Sequence, residues 1–194
     1  MIETAATPDL RPNPAILIGA GGALALVSAA FLPWPVAIAS TVLGVLMIAG
    51  ADVDARTFLL PDAVTFGATL AGIVAAPLIG PLDAWSDPWL AGTSAAARAI
   101  GCAAVLALLR SLYARTHHRE GLGFGDVKLA AAVGAWLPLD AIPLCFALAA
   151  SAALVAALIA QLRGHIVERA TRLPFGAFLC PSLWLVFYAG ALSN

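Results

Sequence analysis

The stretch "EGLGFGDVKLAAAVGAWLP", residues 120–138, sets three glycines (Gly121, Gly123 and Gly125) and two opposite charges (Asp126 and Lys128) against the start of an apolar run. A charge near or inside a bilayer is costly, and where one is kept it marks a functional site whose partner has to be found. Whether this run is a soluble helix or one sunk in lipid depends on its surroundings. Of the 194 residues, 62% are hydrophobic and 11% are charged, with a mean hydropathy of +0.96. A soluble domain carries roughly 25% charged residues. The surplus apolar surface has to face lipid, and the apolar runs are too long and too unalternating for barrel strands. The expected fold class is all-α, a polytopic helical bundle integral to the membrane.

A spanning helix needs about 20 mostly apolar residues. Segments of that kind lie at 14–33, 36–52, 63–80, 90–112, 125–138, 141–162 and 174–191, which predicts about seven transmembrane helices, with six to eight as the bounds. The fifth is short, about 21 Å at the usual rise per residue, and is expected to lie buried among the others. No repeat or soluble domain interrupts the pattern, so residues 1–194 read as one membrane-embedded domain with 1–13 as a cytoplasmic tail. That tail is acidic with a single arginine, a poor lead-in for a cleaved signal, so the first helix is expected to be retained.

Lys and Arg fix the orientation. Arg11, Arg56, then Arg110, Arg115, Arg119 and Lys128, then Arg163, Arg169 and Arg172 fall in every second loop, all on one side of the spans, and the intervening loops near 34–35, 81–89 and 138–140 carry none. The basic loops, and with them Asp126, are expected at the cytoplasmic face. Arg98 falls inside the fourth span and is expected to snorkel or to mark a later helix start. Trp34, Trp85, Trp89 and Trp136 fall near the opposite ends, as an aromatic belt would.

Composition also excludes classes of function. A net charge of -1 offers no basic surface for nucleic acid. Cys102, Cys145 and Cys180 lie far apart without a CxxC pair, and His117 and His118 sit in a basic loop without further ligands, so no metal site and no cofactor are expected.

The acids that could partner Asp126 are few. Asp52, Asp54 and Asp62 bracket "ADVDARTFLLPD", Glu120 shares the loop with Asp126, and Glu168 lies in the last basic loop. Asp52 and Asp54 end the second span at the depth predicted for Asp126. Two carboxylates meeting in a partly desolvated site cannot both ionise comfortably, so one keeps a proton. An aspartic protease needs that state, with one group taking a proton from water and the other hydrogen-bonding the scissile carbonyl. The glycines before Asp126 would let an extended strand come close. Taken singly, Asp126 is equally readable as a helix N-terminal acid favoured by the dipole, and Asp54 as a turn cap before Pro61.

Three segments together resemble the type IV prepilin peptidases, membrane aspartyl proteases that share the GxGD signature with preflagellin peptidases and presenilins. "DARTFLLPD", Asp54 to Asp62, resembles their first motif; "GLGFGDVKLAAAVGAWL" resembles the second; and "LPFGAFLCPSLW", residues 173–184, resembles the C-terminal Pro-Phe-Gly motif. The resemblance implies Asp54 and Asp126 as the catalytic pair, with Asp52 as the rival two residues away. It also places Gly123, Gly125, Lys128, Pro61, Pro174, Phe175 and Gly176 in the supporting motifs. The implied substrate is a prepilin or pseudopilin with a short basic leader, a glycine at the cut and a hydrophobic helix, processed at the cytoplasmic face of the bacterial inner membrane. The paired CxxC motifs of the methylating members are absent, so the chain is similar to peptidase-only forms.

On a helix Lys128 faces about 200° away from Asp126, so it is expected to anchor at the interface or to contact backbone or lipid phosphate rather than to pair with Asp126. Pro174 suits a first helical turn and Gly176 a close helix approach; they read either as a helix start or as a wall of the active site. Glu120 and Glu168 read as surface charges able to attract a basic leader. Rival readings are a preflagellin- or presenilin-like protease, a small proton-coupled transporter using the same acids, and a non-catalytic assembly factor.

Overall fold

A computed structural model of the chain describes residues 10–79, 87–117, 123–163 and 174–193. These residues form seven helices: α1 (Pro14–Phe31), α2 (Trp34–Thr57), α3 (Asp62–Ile79), α4 (Pro88–His117), α5 (Phe124–Trp136), α6 (Ile142–Leu162) and α7 (Phe175–Ser193). All but α5 are long and apolar enough to cross a membrane, and the chain is a multi-pass membrane protein. The expected spans agree with these limits to within a few residues, with two extensions. The second runs on to Thr57 instead of stopping at 52, and the fourth to His117 instead of 112. Asp52 and Asp54 therefore both sit on the closing turns of α2, Asp54 within the helix rather than past its end.

Local chemistry sets these ends. Asn13 caps α1, its side-chain oxygen accepting the Ala15 N–H at 3.0 Å with Pro14 in the first turn. α2 closes on Phe58, whose φ of 56° and ψ of 22° lie in the left-handed region that side-chain-bearing residues rarely enter. Its N–H donates to the Asp54 carbonyl at 2.9 Å. The Thr57 hydroxyl donates to the Val53 carbonyl at 2.8 Å and accepts the Leu59 N–H at 3.2 Å. The Pro61 carbonyl then receives the N–H groups of Val64 and Thr65 at 3.1 and 3.3 Å, starting α3.

The outer helices α1 and α6 leave most of their apolar side chains exposed, as lipid-facing helices do, whereas α5 is the buried centre: Leu129, Ala130, Ala132 and Val133 have no exposed surface. It packs against α3, α4 and α7 and touches α6. At 13 residues it is about 20 Å long, short of the roughly 30 Å hydrocarbon layer. Small residues allow the close packing. A Cβ on Gly134 would run into the Arg98 backbone of α4, and one on Gly72 of α3 would run into the Trp136 ring.

Two expectations need correction. Arg98 does not snorkel and does not start a helix; it lies within α4, and its Nε donates to the carbonyls of Gly134 and Leu137 at 3.2 and 3.1 Å. The guanidinium thus satisfies carbonyls that the end of the short α5 leaves open, where a cation is also favoured by the helix dipole. Trp136 does not belong to an aromatic belt. It is buried, donates its indole N–H to the Ala68 carbonyl at 2.7 Å, and meets Phe187 edge to face at 5.2 Å. Trp34 and Trp89 are exposed at helix starts, and Trp85 lies outside the described residues.

Replacing Arg98 by Met strands those carbonyls, and leaving buried acceptors unpaired costs about 1–3 kcal/mol. Thermal unfolding in detergent is expected to show Arg98→Met melting several degrees below the parent, whereas Arg98→Lys should recover part of the loss.

Candidate active site

The closing turns of α2 and the first turns of α5 and α7 meet at one end of the bundle. Asp52 and Asp54 stand about 200° apart around α2, and the two faces do different work. Asp52 turns toward the N-terminal segment. Its Oδ2 accepts the Asn13 N–H at 2.8 Å and Arg56 Nη2 at 2.7 Å, while the same Arg56 nitrogen donates to the Arg11 carbonyl at 2.9 Å. Asp52 is therefore a fastening between α2 and the start of α1.

Asp54 turns the other way and is buried, 6% exposed. Its Oδ2 accepts the Ala177 N–H from the first turn of α7 at 2.8 Å. The N–H groups of a first turn lack acceptors within their own helix, so α7 supplies donors where Asp54 needs one. The Pro174-Phe175-Gly176 sequence makes the approach possible. The Pro174 carbonyl also receives the Ala177 N–H, at 3.2 Å, at the start of the helix. Gly176 is pressed against the carboxylate, and a Cβ there would stand 2.8 Å from Asp54 Oδ2 and 3.0 Å from its Cγ.

Asp126 is the third residue of α5, behind an N-cap, Gly123, that has no side chain to close the helix end. The Asp126 carboxylate folds back instead toward Gly123 and its N–H, in the manner of one half of a capping box. Its Oδ2 lies 3.2 Å from where a Gly123 Cβ would stand, so a side chain there would crowd it. Asp126 is half-buried, and Asp54 is near enough for its charge to act on it. The thiol of Cys180, fully buried on α7, lies within electrostatic reach of both carboxylates.

Lys128 points away from Asp126, as its helical position requires, and forms an ion pair with Asp62 at the start of α3. Its ammonium also lies 5.6 Å from the Phe66 ring centroid and 5.0 Å from that of Phe124. With Pro61 and Asp62 it ties the α2–α3 turn to the start of α5, a pairing between residues 66 positions apart. Leu60, on that turn, is a neighbour of the site that the sequence does not single out. It touches Gly125 and approaches Gly176 and Gly50, the last lying one turn before Asp54. Its only outward signal is its place between Asp54 and Pro61. Gly121, His118, Glu120, Glu168 and the side chain of His117 lie outside the described residues.

The site thus brings together two carboxylates from two helices, one of them held by a helix N-terminus, on a floor of glycine backbone. Such a site sets two acids within electrostatic reach of each other beside glycine backbone. Among the described residues, no three His, Cys, Asp or Glu side chains are grouped to hold a metal ion.

Residues 41–158 match the sequence profile of the type IV leader peptidase family. Both aspartates fall inside the matched region; the α7 first turn falls outside it. The chain is 33% identical over 178 residues to a prepilin leader peptidase/N-methyltransferase of Burkholderia pseudomallei (strain 1026b), covering 89% of this chain and 53% of the relative. A protein of the same name from Neisseria gonorrhoeae is 34% identical over 137 residues, 71% of this chain and 43% of the relative. The leader peptidase HopD of Escherichia coli is 32% identical over 142 residues, 73% of this chain and 86% of that protein. The chain spans about half the length of the first of these relatives. No solved structure matches it significantly.

Proposed function

The chain belongs to the type IV leader peptidase family, and from that premise we propose that it is an aspartic endopeptidase that removes the short basic leader from a prepilin or pseudopilin. Asp54 and Asp126 are the catalytic pair. One carboxylate takes a proton from a water molecule held between them as that water attacks the scissile carbonyl. The other, in its protonated form, hydrogen-bonds the carbonyl oxygen and stabilises the charge developing there; a proton then passes to the leaving amine as the C–N bond breaks. The observation that carries this reading is the convergence of a buried Asp54 and the Asp126 of a GxGD turn, from separate helices, at one end of the bundle. The alternation of basic loops supports a site facing the cytoplasm of a bacterial inner membrane, where a positively charged leader is retained. Lipid is the surrounding partner, and the extended substrate approaches over Gly123, Gly125 and Gly176.

The test is co-expression with a candidate substrate carrying a basic leader, a glycine and a hydrophobic helix, followed by mass spectrometry of its N-terminus. Loss of the leader at the glycine is expected. An intact leader alongside well-expressed enzyme, across several such substrates, would overturn the reading.

A further inference from the structure

We propose that Leu60 is the residue that sets substrate specificity at this site, by filling the space beside the two carboxylates and so admitting only a very small residue at the bond to be cut. The proposal rests on the peptidase reading above.

Gly50, Gly125 and Gly176 belong to three different helices, and Leu60 is a neighbour of all three. Its Cβ lies 3.1 Å from where a Cβ on Gly125 would stand, directly before Asp126. Its Cδ1 lies 3.3 Å from the corresponding point on Gly176, which is pressed against the Asp54 carboxylate, and 3.6 Å from that on Gly50. One side chain therefore borders the backbones of α2, α5 and α7 at once, joined at Gly50 by Cys180 and Val64.

The turn that carries Leu60 is built to aim it there. Phe58 holds a left-handed backbone, φ 56°, a strain of the kind that persists only when its surroundings impose it. Phe58 and Leu59 point outward, about half exposed, at 51% and 49%, while Leu60 turns inward but remains partly open. Leu60 packs against the core from its edge, whereas Leu43, Leu129 and Leu179 are closed off inside it.

A carbonyl under attack must come within hydrogen-bond reach of both acids, so its own Cα enters the space that Leu60 borders. Gly125 and Gly176 beside it present backbone with no side chain to move aside. A hydrogen on that Cα fits, whereas a methyl must displace Leu60 or lift the carbonyl from the carboxylates.

The test uses the full chain co-expressed with a series of substrates bearing Gly, Ala or Val immediately before the cut, scored for leader removal with the parent, Leu60→Val and Leu60→Ala. A wrong side chain of one carbon is discriminated by roughly 10–200-fold in a tight pocket, and that preference for Gly over Ala is expected in the parent. Leu60→Ala should narrow it at least about tenfold, mainly through gained cleavage of the Ala substrate, with Leu60→Val intermediate. A parallel fall on all substrates with an unchanged Gly-to-Ala ratio would overturn the assignment and leave Leu60 a packing residue. If Leu60→Ala fails to fold, the ratio in Leu60→Val decides in the same way. Failure of the parent to cut any substrate overturns the peptidase reading and this inference with it, whereas cutting by the parent with an unmoved ratio overturns the Leu60 assignment alone.

Discussion

Asp54→Asn and Asp126→Asn are each expected to lower leader cleavage by roughly 10²–10⁴-fold, the range that a positioned acid or base contributes, while Asp52→Asn keeps most of the activity. Asparagine preserves the shape of the side chain but cannot take a proton from water or give one to a leaving amine. In Asp54→Asn the new amide oxygen could still accept the Ala177 N–H, so the helix contact that Asp54 makes at 2.8 Å need not be lost with the chemistry. Asp52 makes the comparison informative, because it lies two residues away on the same helix and is engaged by Arg56 and Asn13. Neutralising it removes a partly exposed ion pair, worth about 0–1 kcal/mol, and touches neither carboxylate of the site. Gel-shift assay of leader removal for the three variants, alongside their melting temperatures, separates loss of chemistry from loss of fold. Full cleavage by both Asp54→Asn and Asp126→Asn would remove the proposed mechanism.

Gly176→Ala is expected to reduce cleavage by about a hundredfold, the scale associated with a displacement of about 1 Å in a reacting group. The added methyl would stand 2.8 Å from Asp54 Oδ2 and 3.3 Å from Leu60 Cδ1, so the carboxylate has to yield or α7 has to withdraw. Either response loosens the Ala177 N–H from Asp54. Gly101→Ala on α4 is the matched control, since nothing lies within 4 Å of the added atom. Cleavage rates and unfolding temperatures for both variants check this. Gly176→Ala should lose rate far out of proportion to any loss of stability, and equal rates for the two variants would refute the close contact.

Particular residues show what the sequence makes legible. The helices follow from runs of apolar residues and from Asn13, Pro61 and Pro174, which act on their immediate neighbours, so their limits can be read locally. The convergence of Asp54 and Asp126 follows from counting spans, because an even number of crossings returns the chain to the same face. What the sequence withholds is rotation and long-range register. Asp52 and Asp54 are the same residue type two positions apart; the motif resemblance chooses Asp54, but only the orientation of α2 shows that one fastens α1 while the other faces α7. Arg98 binds carbonyls 36 and 39 positions away, and the Ala177 donor is a backbone group that every residue except proline possesses. Lys128 is marked by its charge, yet its partner Asp62 emerges only when α3 and α5 are set side by side.

The hydrogen bond from α7 to Asp54 also bears on biogenesis. A membrane protein is made and inserted from its N-terminus, so both aspartates reach the bilayer well before residue 177 leaves the ribosome. Until the seventh helix docks, Asp54 lacks the Ala177 donor and the glycine wall beside it. A half-inserted chain therefore carries both acids before α7 brings its donor, and on the proposed reading cleavage waits for α7 to dock.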